Sequence, residues 1–287
     1  MPQAFFGTEA IRLGRLTRSQ LRWNYRAVLP DVYIAKEEPR TVALHAFAAS
    51  LWTGCDGVVA GRAAAALHGA KWIDASTPVD MIGRNRRPQR GVTVRAERIE
   101  PDEIMLINGL RVTTPARTAL DLGRHLPRDI AVAHLDALAA ATGVPASAAS
   151  ALIERYPRAR GIRRATTSLA LMDGGAQSPR ETWLRLLLID AGLPRPRTQI
   201  EVSDGINRAF IDMGYDEPKV GLDYEGAHHS TRRDTYVYDI GRAEMIEREG
   251  WVDIKVVAEH SRAFIVHRVR EAFARRGWTP MRSTPGS

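Results

Sequence analysis

The sequence predicts an α/β protein in two parts. Residues 1–172 form a helix-rich, mixed α+β domain, and residues 178–280 form an αβββαβ core around a mixed sheet. Three observations predict this. The run Asp173-Gly174-Gly175-Ala176-Gln177 is short and glycine-bearing, as a linker over 173–177 should be. After it, helical and strand periods alternate as helix, strand, strand, strand, helix, strand, helix. Before it, alanine-rich helical stretches outnumber short β-branched runs.

In the first part, Thr17 or Ser19 opens a short helix through Tyr25. Thr41 to Thr53 reads as a helix stopped by Gly54, and Gly61–Gly69 as an alanine-rich one. Val79–Ile82 and Val92–Val94 are strand-like. Thr114 followed by Pro115 caps a helix through Gly123, since proline suits the first helical position. Further helices are predicted at Pro127–Thr142 and Pro145–Arg155. Two arginine clusters stand out: Arg84, Arg86, Arg87, Arg90, Arg95 and Arg98 around Arg90-Gly91, and Arg155, Arg158, Arg160, Arg163 and Arg164. Such clusters either neutralise backbone phosphates by counterion release or form a solvated rim.

In the second part, the first helix is Ser178 to Ala191, stopped by Gly192 and Pro194. Strands follow at Thr198–Ser203, Asn207–Met213 and Lys219–Tyr224. Then come a helix at Asp234–Glu249, a β-branched run at Trp251–Ala258 and a helix at Ser261–Arg276. With Asp216 and Glu217 at a hairpin tip, Tyr215 faces Pro218 and Asp212 faces Gly221. Alternation then gathers Ile211, Met213, Val220, Leu222 and Tyr224 on an apolar face. The other face collects Phe210, Asp212, Gly221, Asp223 and Glu225. Asp212 and Asp223 become diagonal neighbours, about 7–8 Å apart at Cα. Carboxylates this close repel unless a cation sits between them. Oxygen ligands at this spacing suit Mg²⁺ or Mn²⁺; the alternative is a sheet face of separately solvated acids. Beyond the strand, Gly226 leads to His228 and His229, placed either as surface turn residues or as proton acceptor and phosphate donor.

Composition bounds the partners. The chain has 287 residues, 41 Lys+Arg against 33 Asp+Glu and a net charge of +8. A polyanionic partner fits that balance, although only four of the cations are lysine, a bias that genome composition also produces. The longest mostly apolar run, Val42 to Trp52, is too short to span a bilayer, so no membrane association is expected. The first residues carry no basic region with an apolar core, so no secretory signal is expected. The single cysteine, Cys55, excludes an internal disulfide and a thiolate zinc cluster, and suits a cytoplasmic setting.

Several motifs together carry a resemblance. They are Ser178-Pro179-Arg180-Glu181, Ala191-Gly192-Leu193-Pro194, Ile211-Asp212, Val220-Gly221-Leu222-Asp223-Tyr224-Glu225-Gly226-Ala227-His228-His229, Tyr238-Asp239-Ile240-Gly241-Arg242 and Glu249-Gly250-Trp251. On them, residues 178–258 resemble the very-short-patch-repair-like endonuclease domains of the PD-(D/E)XK restriction-endonuclease superfamily. The resemblance implies that Asp212 is the metal-binding aspartate of the first core strand and Asp223 the acid opening the second half-motif. It places Glu225 where many members carry lysine, His229 as the histidine after the glycine, Asp239 and Arg242 as a polar pair, and Glu181 as an acid on the first helix. Glu181 also reads as the last residue of a capping box begun by Ser178, and Asp239 and Arg242 can pair with each other. Related domains usually read Glu-x-Asp-Gly, whereas here Asp223 precedes Glu225. The superfamily lysine is absent, and Lys255 is a substitute if it points to the same edge.

More diffusely, Leu16-Thr17-Arg18, Pro30-Asp31-Val32-Tyr33, Ala63–Gly69 and Thr113–Asp121 are similar to AbiEi-type antitoxin and transcriptional-regulator proteins. Those carry a winged helix. Here it reads as truncated, with room for one helix between Thr17 and Tyr33, which argues against groove reading.

The expected function is a metal-dependent DNA endonuclease, with Mg²⁺ or Mn²⁺ held by Asp212, Asp223 and Glu225 or Glu181, and His229 or Lys255 assisting. Arg84, Arg86, Arg87, Arg90, Arg160, Arg163, Arg164 and Arg242 are the expected nucleic-acid contacts. The alternative is a non-catalytic DNA-binding regulator, an antitoxin with a cognate toxin, that keeps a nuclease fold. A third reading is a phosphodiesterase acting on RNA or a small molecule.

Overall fold

The computed structural model describes residues 4–84, 89–226 and 233–279, with backbone alone over 233–239. It divides into two compact units, Met1–Gly174 and Gly175–Ser287. The division falls inside the glycine-bearing join. No single helix among the described residues is long and apolar enough to cross a membrane.

The first unit begins with β1 (Phe5–Phe6), α1 (Gly7–Arg12), α2 (Arg18–Asn24), β2 (Tyr25–Leu29) and β3 (Val32–Ala35). These strands form an antiparallel sheet in the order β1-β3-β2. Between Thr17 and Tyr33 there is one helix, α2, as expected, followed by a hairpin; the helix before it, α1, was not anticipated. The reason is a long-range cap. Asp31, in the hairpin turn, accepts from the Thr8 N–H at 2.8 Å and from its hydroxyl at 2.9 Å, fixing the start of α1 from 23 residues away. Local sequence gives no sign of it. By contrast α2 starts where a capping box predicts, with Thr17 and Gln20 bonded reciprocally.

The rest of this unit is α3 (Val42–Trp52), β4 (Val58–Ala60), α4 (Gly61–Leu67), β5 (Val79–Ile82), β6 (Val92–Arg95), a 3₁₀ turn (Pro101–Glu103), β7 (Ile104–Ile107), β8 (Leu110–Thr113), α5 (Pro115–His125), α6 (Arg128–Thr142), α7 (Ala146–Arg155) and α8 (Ile162–Ala170). A mixed sheet runs β6-β5-β4-β8-β7. Its core includes Leu44, Ala49, Val59, Met81 and Val112, while α4, α5 and α6 enclose Ala65, Leu122, Leu135 and Leu138. The short strands β4, β7 and β8 were not singled out in the sequence, because three- and four-residue runs carry little periodicity.

The second unit contains α9 (Pro179–Asp190), β9 (Arg197–Ser203), β10 (Arg208–Tyr215), β11 (Val220–Tyr224), α10 (Arg233–Arg248), β12 (Val252–Val256) and α11 (Arg262–Arg275). This is the predicted order of elements. The sheet runs β12-β11-β10-β9, antiparallel except for β11 with β12. Leu184, Leu188, Met213, Leu222 and Ile265 are buried in the cluster that includes residues of α9 and α11. Each contributes about 1.5–3 kcal/mol by leaving water. Ile200, Val202 and Ile211 pack with Met245, Ile246 and Trp251 in a second cluster.

Two features of the predicted hairpin are corrected. Tyr215 pairs with Val220 rather than Pro218, and Gly214 with Gly221. The shift is two residues, so the parity of β11 is kept, but Asp212 now falls level with Asp223 instead of diagonal to it. In addition, Ile211 and Met213 lie in different clusters, so strict alternation fails at Asp212. The neighbouring strand carries Gln199 at φ 50°, between the paired residues Ile200↔Ile211 and Thr198↔Met213. A left-handed residue inside a strand is a local kink, and the change of face along β10 falls opposite it.

Candidate functional site

β10 and β11 approach closely at Gly214 and Gly221. A Cβ at Gly214 would lie 2.5 Å from the Val220 carbonyl oxygen, and one at Gly221 would lie 2.7 Å from Ile211 Cγ2. One step beyond this pair, beyond Met213 and Leu222, carboxylates bond the main chain. The Asp212 N–H donates to Asp223 Oδ1 at 2.8 Å, and the Tyr224 N–H donates to Asp212 Oδ2 at 2.8 Å. The two acids thus fix each other's strands.

Cations converge on Asp223. Its Oδ2 accepts from Arg242 Nη2 at 2.6 Å and from Lys255 Nζ at 2.7 Å. Lys255 stands on β12 in register with Asp223, so it does point to the same edge. Its Nζ also lies 2.8 Å from Asp253 Oδ2. Arg242 donates to the Phe210 carbonyl at 2.5 Å. Its side chain is 19% exposed, so the guanidinium expected to grip nucleic acid is committed to Asp223.

Glu181 does two things. Its N–H donates to the Ser178 hydroxyl oxygen at 3.2 Å, and its Oε2 accepts from the Gln177 N–H at 2.8 Å, so it takes part in the cap of α9. It is also buried, and it adds to the negative field at Asp212. Burial pushes the Asp212 carboxyl up to about 7, with Asp223 and Glu181 adding to it and the Tyr224 N–H and Arg242 opposing. Burial and Asp223 likewise raise Glu181, against the Gln177 and Ser178 bonds. Asp223 goes the other way: burial is outweighed by Lys255, Arg242 and the Asp212 N–H, and its carboxyl is held below the usual range.

Glu181, Asp212, Asp223 and Asp253 face two cations among the described residues, Arg242 and Lys255. Among the described residues no lysine or arginine pairs with Asp212 or Glu181. Acids therefore outnumber cations among the described residues, and the raised Asp212 and Glu181 carboxyls reflect that imbalance; such a set of hard oxygen donors suits a divalent cation. Asp212 and Glu181 are the acids with no cation of their own. Glu225 does not join them. It is exposed, its N–H donates to the Val256 carbonyl at 2.7 Å, and no ion pair or hydrogen bond links its carboxylate to the cluster. That corrects the three-ligand set Asp212, Asp223 and Glu225. Sequence reasoning missed Asp253. The signal was there as Asp253-Ile254-Lys255, opposite charges two apart on one strand face.

His228, His229, Arg86 and Arg87 lie outside the described residues, as does the Asp239 side chain. Arg84, Arg90, Arg160, Arg163 and Arg164 are exposed. Arg95 pairs with Asp80 at 2.5 Å, Arg98 with Glu100 at 2.6 Å and Arg155 with Asp102 and Glu103 at 2.9 and 2.8 Å.

No protein-family model matches the chain. No solved structure matches it significantly. It is similar to an uncharacterised protein of Mycobacterium tuberculosis, found in strains CDC 1551 / Oshkosh and ATCC 25618 / H37Rv. Each version is 28% identical over 237 residues, covering 80% of this chain and 84% of the relative.

A second acidic group lies in the first unit. Glu97, Asp121 and His125 each bring a ligand atom within 4.8 Å of the others and line a cavity of about 210 Å³. Arginines already answer these charges. Arg117 Nε lies 3.1 Å from Asp121, and Arg124 Nη1 lies 2.7 Å from Glu97. Against the cost of burial, His125 and Arg124 lower the Glu97 carboxyl to about 2. This is an ion-pair network tying α5 to the segment before the 3₁₀ turn. Its sequence signature is Arg117, Asp121 and His125, four apart on one helix face.

Proposed function

We propose that the second unit is a metal-dependent nuclease of the restriction-endonuclease-like αβββαβ type, hydrolysing phosphodiester bonds in DNA. The observation that carries this reading is the pair Asp212 and Asp223, level on adjacent strands, with a buried Glu181 beside them and, among the described residues, no lysine or arginine paired with Asp212 or Glu181. A bound Mg²⁺ or Mn²⁺ would act as a Lewis acid on the phosphodiester and lower the pKa of its water. Asp212 and Glu181 would hold it, with Asp223 supplying its remaining lone pair. Arg242 fixes Asp223, and Lys255 provides positive charge where charge develops on the phosphate. The exposed arginines of the first unit would grip backbone phosphates, giving salt-dependent affinity.

The test is cleavage of duplex DNA by the full chain in Mg²⁺ or Mn²⁺, beside Asp212→Asn. Wild type is expected to cleave and the variant to lose about a hundredfold or more, at least the loss caused by removing a group that merely orients a metal ligand. Equal cleavage by both, with contaminating nuclease excluded, refutes the site.

A second reading is favoured by the first unit. There α1 and α2 precede the β2–β3 hairpin, and Arg18, Ser19, Arg22 and Trp23 are all exposed on α2. A short helix before a hairpin, carrying arginines, suits the major groove. A regulator of this kind would shift duplex DNA in a gel and cleave nothing under any divalent ion.

A further inference from the structure

Asp253 belongs to no motif, yet it lies inside the acidic site. β12 runs parallel to β11, in a register that sets Asp253 against Gly221 and Lys255 against Asp223. Residues two apart on a strand share a face, so Asp253 and Lys255 project together. Both Asp253 oxygens are sealed from solvent and receive no aligned hydrogen bond. Lys255 Nζ lies 2.8 Å away and Arg242 Nη1 lies 3.9 Å away. A buried carboxylate without hydrogen bonds is costly and needs a cation close by. Here that cation is Lys255. An ammonium is a compact head with three N–H groups. Asp223 and Asp253 lie on two sides of it, and the side chain as a whole remains 36% exposed, so it can be approached from solvent.

We propose that Lys255 is the cation of this site that contacts a phosphodiester, and that Asp253 is its positioning residue. The proposal deepens the nuclease reading and rests on it for the identity of the substrate. With both carboxylates in place, the ammonium is anchored at two points and its free N–H has a fixed direction toward a non-bridging phosphate oxygen. With Asp253 neutralised, a single anchor remains and the flexible four-carbon stem can swing.

The chain has four lysines, Lys36, Lys71, Lys219 and Lys255, so amine acetylation read by peptide mass spectrometry reports on each separately. The full chain is labelled in metal-free buffer, with and without a short duplex DNA, as wild type, Asp253→Asn and Asp253→Glu. Circular dichroism melting checks that each variant folds. In free wild type, Lys255 is expected to label roughly tenfold more slowly than the exposed Lys71, as a doubly paired ammonium should. Duplex is expected to slow Lys255 further. Asp253→Asn should speed its labelling several-fold while Lys36 and Lys71 stay unchanged, and Asp253→Glu should restore part of the protection. Absence of duplex protection at Lys255, or an unchanged rate in a folded Asp253→Asn, overturns the proposal. Cleavage measured in parallel separates the two readings. Protection without cleavage under any divalent ion removes the nuclease reading and leaves the phosphate contact. Cleavage without protection does the reverse.

Discussion

At the residue scale, Asp212 is a group whose chemistry is strongly displaced. Its carboxyl titrates near 7 in the folded unit, against an ordinary value of 3.8. Because the folded state binds this proton more tightly than the unfolded chain, the contribution is fully present below pH 4. It is lost as pH rises through 7. A shift of this size corresponds to a few kcal/mol at most. On the proposed reading, a bound divalent cation would take the place of this proton. The thermal midpoint of the second unit is therefore expected to rise more on adding Mn²⁺ at pH 8 than at pH 5.5. In Asp212→Asn the metal-free midpoint at pH 8 should increase and the Mn²⁺ response should disappear. An equal Mn²⁺ response at both pH values would contradict the assignment. Asp212 and Asp223 were legible in the sequence, because two acids on paired strands opposite apolar neighbours form a recognisable pattern. Asp253 was missed: the Asp253-Ile254-Lys255 spacing marks a charge pair, but its place in the site depends on a strand that joins through a parallel crossover. Glu225 looked like a ligand from spacing alone, but the strand ends at Tyr224, so alternation no longer controls its direction.

At the element scale, the hairpin shows how far periodicity reaches. Faces along β11 were read correctly even with the turn misplaced by two residues, since a period of two survives an even shift. Along β10 the reading broke at Ile211, because the kink beside Gln199 is a tertiary effect with no local signature. Helix starts were legible wherever Ser or Thr caps locally, as at Thr17, Thr41, Thr114 and Ser178. The start of α1 was not, because Asp31 supplies its cap. The close approach of β10 and β11 gives a direct test. Gly221→Ala places a methyl 2.7 Å from Ile211 Cγ2 and 2.9 Å from its Cδ1. Overpacking of this kind costs about 1–3 kcal/mol. A chemical-denaturation midpoint within error of wild type would show that the strands can part without penalty.

At the scale of the whole molecule, the two units have separate hydrophobic cores and each closes its own sheets. Calorimetry of the full chain is expected to show two transitions, as multidomain proteins do. The site built on Asp212 and Asp223 lies in the second unit, and in the acidic group of the first unit Asp121 and Glu97 are already matched by Arg117 and Arg124. Mn²⁺ should therefore move one transition by RT ln(1 + [L]/Kd) and leave the other in place. Movement of both, or of the transition belonging to a fragment of residues 1–174, would place a metal in the first unit.

Asp212 and Asp223 each accept a main-chain N–H from the facing strand. A relative that had abandoned catalysis would therefore still have reason to keep both, because losing either strands an amide where β10 and β11 meet. Retention of the pair elsewhere is thus poor testimony to a working reaction. The acids that speak more plainly are those with no architectural errand of this kind, and in this chain Asp253 is the one to watch.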